Sequence, residues 1–109
     1  MCGITGIYAF NMVGRVSMIN VAKATEALGR RGPDFQNAYN DDTVGLGHRR
    51  LSIIDTSAEG HQPMYDASER YVIVFNGEIY NYKSLKQELV GKGVQFYSET
   101  DTEVLLNLY

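Results

Sequence analysis

A cysteine stands directly behind the initiator methionine in Met1-Cys2-Gly3-Ile4, and it is the only cysteine among 109 residues. Methionine is usually removed ahead of a side chain this small, and a chain that starts at Cys2 carries thiol and α-amine on one residue. A free α-amine titrates at about 7.7–8.0 and a thiol at about 8.5, so near neutral pH the amine can take the thiol proton. Nucleophile and base then come from the same residue, the logic of covalent catalysis by a chain terminus. Taken alone, Cys2 is equally well a buried cysteine that happens to be second in the chain.

Three further groups stand at the ends of apolar runs, where strands commonly present ligands. Arg50 is suited to a two-pronged grip on a carboxylate. Asn76-Gly77 sets a side-chain amide beside an unhindered backbone N–H, two donors of the kind a developing oxyanion needs. Asp101 can accept hydrogen bonds from an ammonium. Together these describe a site for an amino acid with a cleavable acyl group on its side chain. Each has a plainer reading: a hairpin turn for Asn76-Gly77, a solvated charge for Arg50, a helix cap for Asp101. His48 and His61 share no ligand spacing with each other or with Cys2, so no metal site is expected. Gly45-Leu46-Gly47-His48-Arg49-Arg50 starts like a dinucleotide fingerprint, but it has arginine in place of the third glycine and lies in a strand pattern.

The elements that must hold these groups follow from the apolar periodicity. Ile4–Phe10 reads as a strand, Asn11–Val16 as a turn, and Ser17 as the cap of a helix reaching Leu28 and stopped by Gly29. After the turn Arg30–Asp34, strands are expected over Phe35–Asn40 and Val44–Ile54, joined at Asp41-Asp42-Thr43. Tyr71–Phe75 is the most strand-like run and its continuous apolar character predicts burial on both faces. Asn76-Gly77 would turn it into a hairpin with Glu78–Tyr80. Asn81 should cap a helix over Tyr82–Val90, Val94–Tyr97 should form a short strand, and Thr100 or Asp101 should cap a last helix over Thr102–Tyr109.

Composition is that of one soluble globular unit: 44% hydrophobic, 21% charged, net charge −3. This mild acidity offers no footprint for nucleic acid or an anionic membrane, and no apolar run approaches a membrane span. A single cysteine permits no internal disulfide, which favours a reducing, cytoplasmic setting.

Five blocks then stand together in order: Met1-Cys2-Gly3-Ile4, Arg31-Gly32-Pro33-Asp34, Arg50-Leu51-Ser52-Ile53-Ile54-Asp55, Gln62-Pro63-Met64 and Asn76-Gly77-Glu78-Ile79-Tyr80-Asn81. In this order and spacing the chain resembles the class II glutamine amidotransferases, members of the N-terminal nucleophile (Ntn) hydrolases. Within them it is most similar to the glutaminase domains of the asparagine synthetase group. The resemblance implies an α+β fold, an αββα sandwich of two antiparallel sheets, of which residues 1–109 would be the N-terminal part. It implies Cys2 as nucleophile, Asn76 and Gly77 as oxyanion hole, Arg50 on the glutamine α-carboxylate and Asp101 on its α-ammonium. Glu78 and the backbone of Leu51, Ser52, Ile53 and Ile54 would complete the glutamine pocket. No cofactor is implied for this chain. ATP and Mg²⁺ would belong to a C-terminal synthetase domain that uses the released ammonia to turn aspartate into asparagine.

The alternatives are a glutamine-binding domain without turnover and a relative that amidates another acceptor, since the acceptor is chosen outside these residues. Arg49 adds a second positive charge without an assigned role. The last predicted helix runs to Tyr109 with no stop signal. The chain by itself is therefore expected to be inactive, particularly with Met1 attached, and to self-associate through apolar faces or leave segments disordered.

Overall fold

The computed structural model describes all residues from Met1 to Tyr109. Its elements in chain order are β1 (Gly3–Tyr8), α1 (Met12–Ser17), α2 (Asn20–Ala27), β2 (Phe35–Asn40), β3 (Val44–Arg50), β4 (Met64–Tyr65), β5 (Val72–Ile73), α3 (Tyr82–Gly91) and α4 (Asp101–Leu108), with a single 3₁₀ turn at Ala58–Gly60. They make an α+β domain with two antiparallel sheets, one ordered β1-β3-β2 and the other β4-β5.

The larger sheet is built around β3, whose two faces have different jobs. Gly45, Gly47 and Arg49 look toward α2, and glycine is needed there because the helix lies so close. A Cβ on Gly45 would overlap Val21 and Met18, and one on Gly47 would overlap Thr25 and Thr5. Thr5 and Thr25 share a hydrogen bond of 2.7 Å across the same interface. Ala9, Met18 and Val21 form the small core on this side, with Ile7 against it. The glycines of the rejected dinucleotide pattern therefore serve helix–sheet packing. Leu46, His48 and Arg50 alternate onto the opposite face, toward the second sheet. There β4 and β5 pack against α4, and α3 packs on α4. The layer order is helix, sheet, sheet, helix.

Several expectations are corrected. The segment expected as a turn before Ser17 is the helix α1. Asn11 caps it, accepting from the Gly14 N–H at 2.9 Å, while Ser17 donates to the Val13 carbonyl at 2.8 Å within the last turn. β3 ends at Arg50, because the backbone of the next residues turns to Asp34 and Cys2 instead of a strand. The Tyr71–Phe75 run is strand only at Val72–Ile73, since its partner β4 has two residues, and its side chains are half-buried or exposed. Glu78–Tyr80 and Val94–Tyr97 find no partner strand and stay irregular. The hairpin at residues 41–43 is as expected: the Asp41 carboxylate accepts from the Thr43 and Val44 N–H groups, and with the Tyr39 hydroxyl these hold its pKa at about 2.

Candidate active site

Cys2 and Arg50 come together by strand register. Gly3 pairs with Arg49, so one step further along the ladder Cys2 stands opposite Arg50 on the face turned away from α2. The Cys2 sulfur accepts from the Leu51 N–H at 3.3 Å and lies 3.6 Å from the Leu51 carbonyl. Arg31 Nε donates to the Cys2 carbonyl at 3.3 Å. Asp34 receives the Ser52 N–H at 2.7 Å, which pins the turn that carries Leu51. The Arg31–Asp34 block thus ties both the Cys2 backbone and the turn after Arg50.

The Arg50 guanidinium is buried, with the residue 5% exposed. Its Nη1 donates to the Ser57 carbonyl at 2.6 Å and its Nη2 to the Asp55 carbonyl. These bonds tie down the 51–60 loop. Neither is to a carboxylate, and the ion pairs of the molecule are Lys86–Glu99 and Lys92–Glu88. Arg50 is therefore a buried cation with no carboxylate in ion-pair contact, although the Asp55 charge in the same cavity is near enough to feel it, an arrangement that an anion would complete. Gly60 packs directly on the guanidinium and leaves no room for a Cβ.

A second wall comes from the other half of the domain. Asn76 and Gly77 follow β5, and Asp101 opens α4 as its first helical residue. The cap of α4 is Thr100, which accepts from the Glu103 N–H at 3.3 Å. Asp101 is thereby released from capping, and one carboxylate oxygen accepts from the Ile79 N–H at 2.9 Å. Glu103 reaches back to the Tyr97 and Ser98 N–H groups at 2.8 and 2.6 Å, a variant of the capping box that fixes the entry to the helix.

Between the walls lies a cavity of about 100 Å³. Of the residues expected at the site, Cys2, Arg50, Leu51, Ile53, Ile54, Asn76, Gly77, Glu78 and Asp101 line it. Ser52 does not, because its backbone is turned to Asp34. Arg49 points away, binding Gln36 at 2.6 Å and the Gly29 carbonyl at 3.4 Å beyond the end of α2, where a cation is favourable to the helix dipole.

His48, Asp55, Gln62, Phe75 and Thr102 also line the cavity and carry no expected role. His48 is fully buried and neither ring nitrogen has a well-formed hydrogen bond, although the Phe75 backbone is close. Burial pushes its pKa down to about 4, the Phe75 backbone opposing and the Arg50 charge adding to the effect. Asp55 is held at about 2, chiefly by the Ser57 hydroxyl and the Glu99 N–H. For His48 a signal existed, because alternation along β3 puts it on the face of Arg50. For Gln62 the signal was its place in a family block.

In chemical terms the cleft offers a thiol, a cation awaiting an anion, an amide beside a glycine N–H, and a buried carboxylate. The model of the glutamine amidotransferase domain family matches residues 1–109. Glutamine-hydrolysing asparagine synthetase 1 of Bacillus subtilis is 41% identical over 111 residues, covering 100% of this chain and 17% of that protein. Asparagine synthetase B of Escherichia coli is 37% identical over 109 residues, covering 100% and 19%, and the glutamine-hydrolysing enzyme 1 of Arabidopsis thaliana is 34% identical, covering 100% and 18%. The chain thus spans about a fifth of the length of these curated relatives. On the family model and the whole-chain matches, the protein belongs to the glutamine amidotransferase domain family.

Proposed function

We propose that this domain hydrolyses glutamine to supply ammonia, with Cys2 as the nucleophile once Met1 is removed. The observation that carries the reading is Arg50: a buried guanidinium without a carboxylate partner, in the same cleft as the thiol. A glutamine α-carboxylate supplies the missing anion, and Asp101 takes the α-ammonium. The side chain then extends toward Cys2, beside Asn76 and Gly77.

Removing Met1 is a chemical requirement. Within a peptide bond the Cys2 nitrogen is an amide and cannot take a proton; freed, it is an amine that can. The thiolate adds to the side-chain amide carbon, and the oxyanion accepts hydrogen bonds from the Asn76 amide and the Gly77 N–H. Collapse of this adduct breaks the C–N bond, and the proton held by the α-amine goes to the leaving ammonia. Water then attacks the glutamyl thioester, glutamate leaves, and the thiol is restored. Leu51 N–H lies on the sulfur at 3.3 Å and can hydrogen-bond it in each half.

The curated relatives named above are asparagine synthetases, so the ammonia is read as destined for a synthetase domain that amidates aspartate with ATP and Mg²⁺. The test is Cys2→Ala in the full-length protein. Glutamate release should vanish while synthesis from free ammonia continues. Release near the wild-type rate would remove Cys2 from the mechanism.

A further inference from the structure

Gln62 is buried, 6% exposed, and spends both ends of its amide on other parts of the chain. Its Oε1 accepts from the Phe75 N–H at 2.6 Å, and its Nε2 donates to the Thr102 Oγ1 at 3.2 Å. Phe75 is the residue before Asn76, and Thr102 is the residue after Asp101. The β4–β5 ladder has already ended at Ile73, so no strand pairing positions Phe75 to Gly77. The amide orientation is not arbitrary: a backbone N–H needs an acceptor, so the oxygen must face Phe75.

We propose that Gln62 is a positioning residue that sets the Asn76–Gly77 donors against the Asp101 carboxylate, so that one glutamine meets both at once. The assignment rests on the glutaminase reading above. The planar amide braces the span between the oxyanion site and the ammonium site beside the direct Ile79 N–H to Asp101 bond of 2.9 Å, and each of its two bonds bears on one of them. Losing the bond to Phe75 lets the Asn76 segment drift, which falls on the chemical step. Losing the bond to Thr102 shifts Asp101 relative to that segment, which falls on substrate binding.

The experiment is steady-state glutamine hydrolysis by the full-length protein in three variants, with iodoacetamide alkylation of Cys2 as a parallel readout. Alkylation needs the thiol but neither the oxyanion donors nor Asp101. Gln62→Met keeps the length of the side chain and removes both bonds; kcat should fall by on the order of 10²-fold with KM raised. Thr102→Val removes only the second bond; KM should rise by roughly tenfold with kcat little changed. Thr102→Ser keeps the hydroxyl and should restore wild-type KM. In all three, alkylation should stay at the wild-type rate. Wild-type kcat and KM in Gln62→Met overturns the assignment, as does a fall in alkylation parallel to the fall in kcat, which marks general loosening. If Gln62→Met does not fold, Thr102→Val decides, and an unchanged KM there overturns it. A wild-type protein beginning at Cys2 that releases no glutamate strikes the glutaminase reading itself, not the role of Gln62.

Discussion

On one side of the cleft, Cys2 and Arg50 are placed by backbone pairing in the β1-β3-β2 sheet; on the other, Asn76, Gly77 and Asp101 are placed by side chains. The first half relies on residues that lack bulk. Gly45 and Gly47 let α2 sit flat on the sheet, and the ladder does the rest. The second half has two strands of two residues each, and its loops are held by the buried or half-buried groups of Gln62, Asp55, Asp101 and Glu103. A ladder spreads its geometry over many equivalent bonds and tolerates losing one. A polar scaffold concentrates it in a few atoms, each costly to leave unpaired.

That contrast predicts different sensitivities. The largest effect is expected in the sheet half from adding bulk, since Gly47→Val drives two methyl groups into Thr25 and Thr5. It should cost about 3 kcal/mol or more, read by urea unfolding. A variant as stable as wild type would mean that α2 does not pack as described.

His48 belongs to the same half and brings a pH dependence. Its folded pKa of about 4 lies below the unfolded value of 6.5, so the unfolded chain binds more protons between them. Stability is therefore full above pH 6.5, falls as pH drops toward 4, and loses nothing more from this group below that. The loss is about 3 kcal/mol at most. His48→Asn should flatten melting curves recorded across that window, whereas an unchanged slope would assign it to other groups.

A smaller effect is expected in the polar half. Glu103→Ala leaves the Tyr97 and Ser98 N–H groups without acceptors and should cost about 2 kcal/mol. Because α4 begins with Asp101, the same change should weaken glutamine binding. A loss of stability with binding untouched would separate the helix entry from the site.

How much could be read in the sequence follows the same division. The β2–β3 hairpin was legible because Asp41 and its neighbours carry their own local turn chemistry. Helix α4 was legible from its cap Thr100 and apolar spacing, and α3 from apolar spacing alone, since Asn81 stands at its start without the expected side-chain capping bond. Helix α1 was not, because none of its residues is buried and Val13 and Val16 face solvent, so no core stripe announced it. Asn11 was its only cue. The Tyr71–Phe75 run was overread, since apolar character says nothing about whether a partner strand is long enough to pair with it. That Cys2, Arg50, Asn76, Gly77 and Asp101 line one cleft could be expected from their types and positions. That Arg50 also anchors the 51–60 loop, and that Gln62 spans to a helix 40 residues away, depends on tertiary neighbours and left no local trace.

On the proposed function the two halves meet in a single substrate, and one kinetic comparison tests that most directly: glutamine hydrolysis by Arg50→Lys and Asn76→Ala, each in the full-length protein. If Arg50 grips the α-carboxylate as proposed, it does so alike in ground and transition states, and lysine cannot reproduce its planar fork, so Arg50→Lys should act mainly on KM. As the proposed oxyanion donor, Asn76 would meet charge only as the oxyanion forms, so Asn76→Ala should lower kcat by roughly 10²–10³-fold with KM little changed. The reverse pattern, with kcat lost at Arg50 and KM at Asn76, would contradict the placement of binding in one half and oxyanion stabilisation in the other.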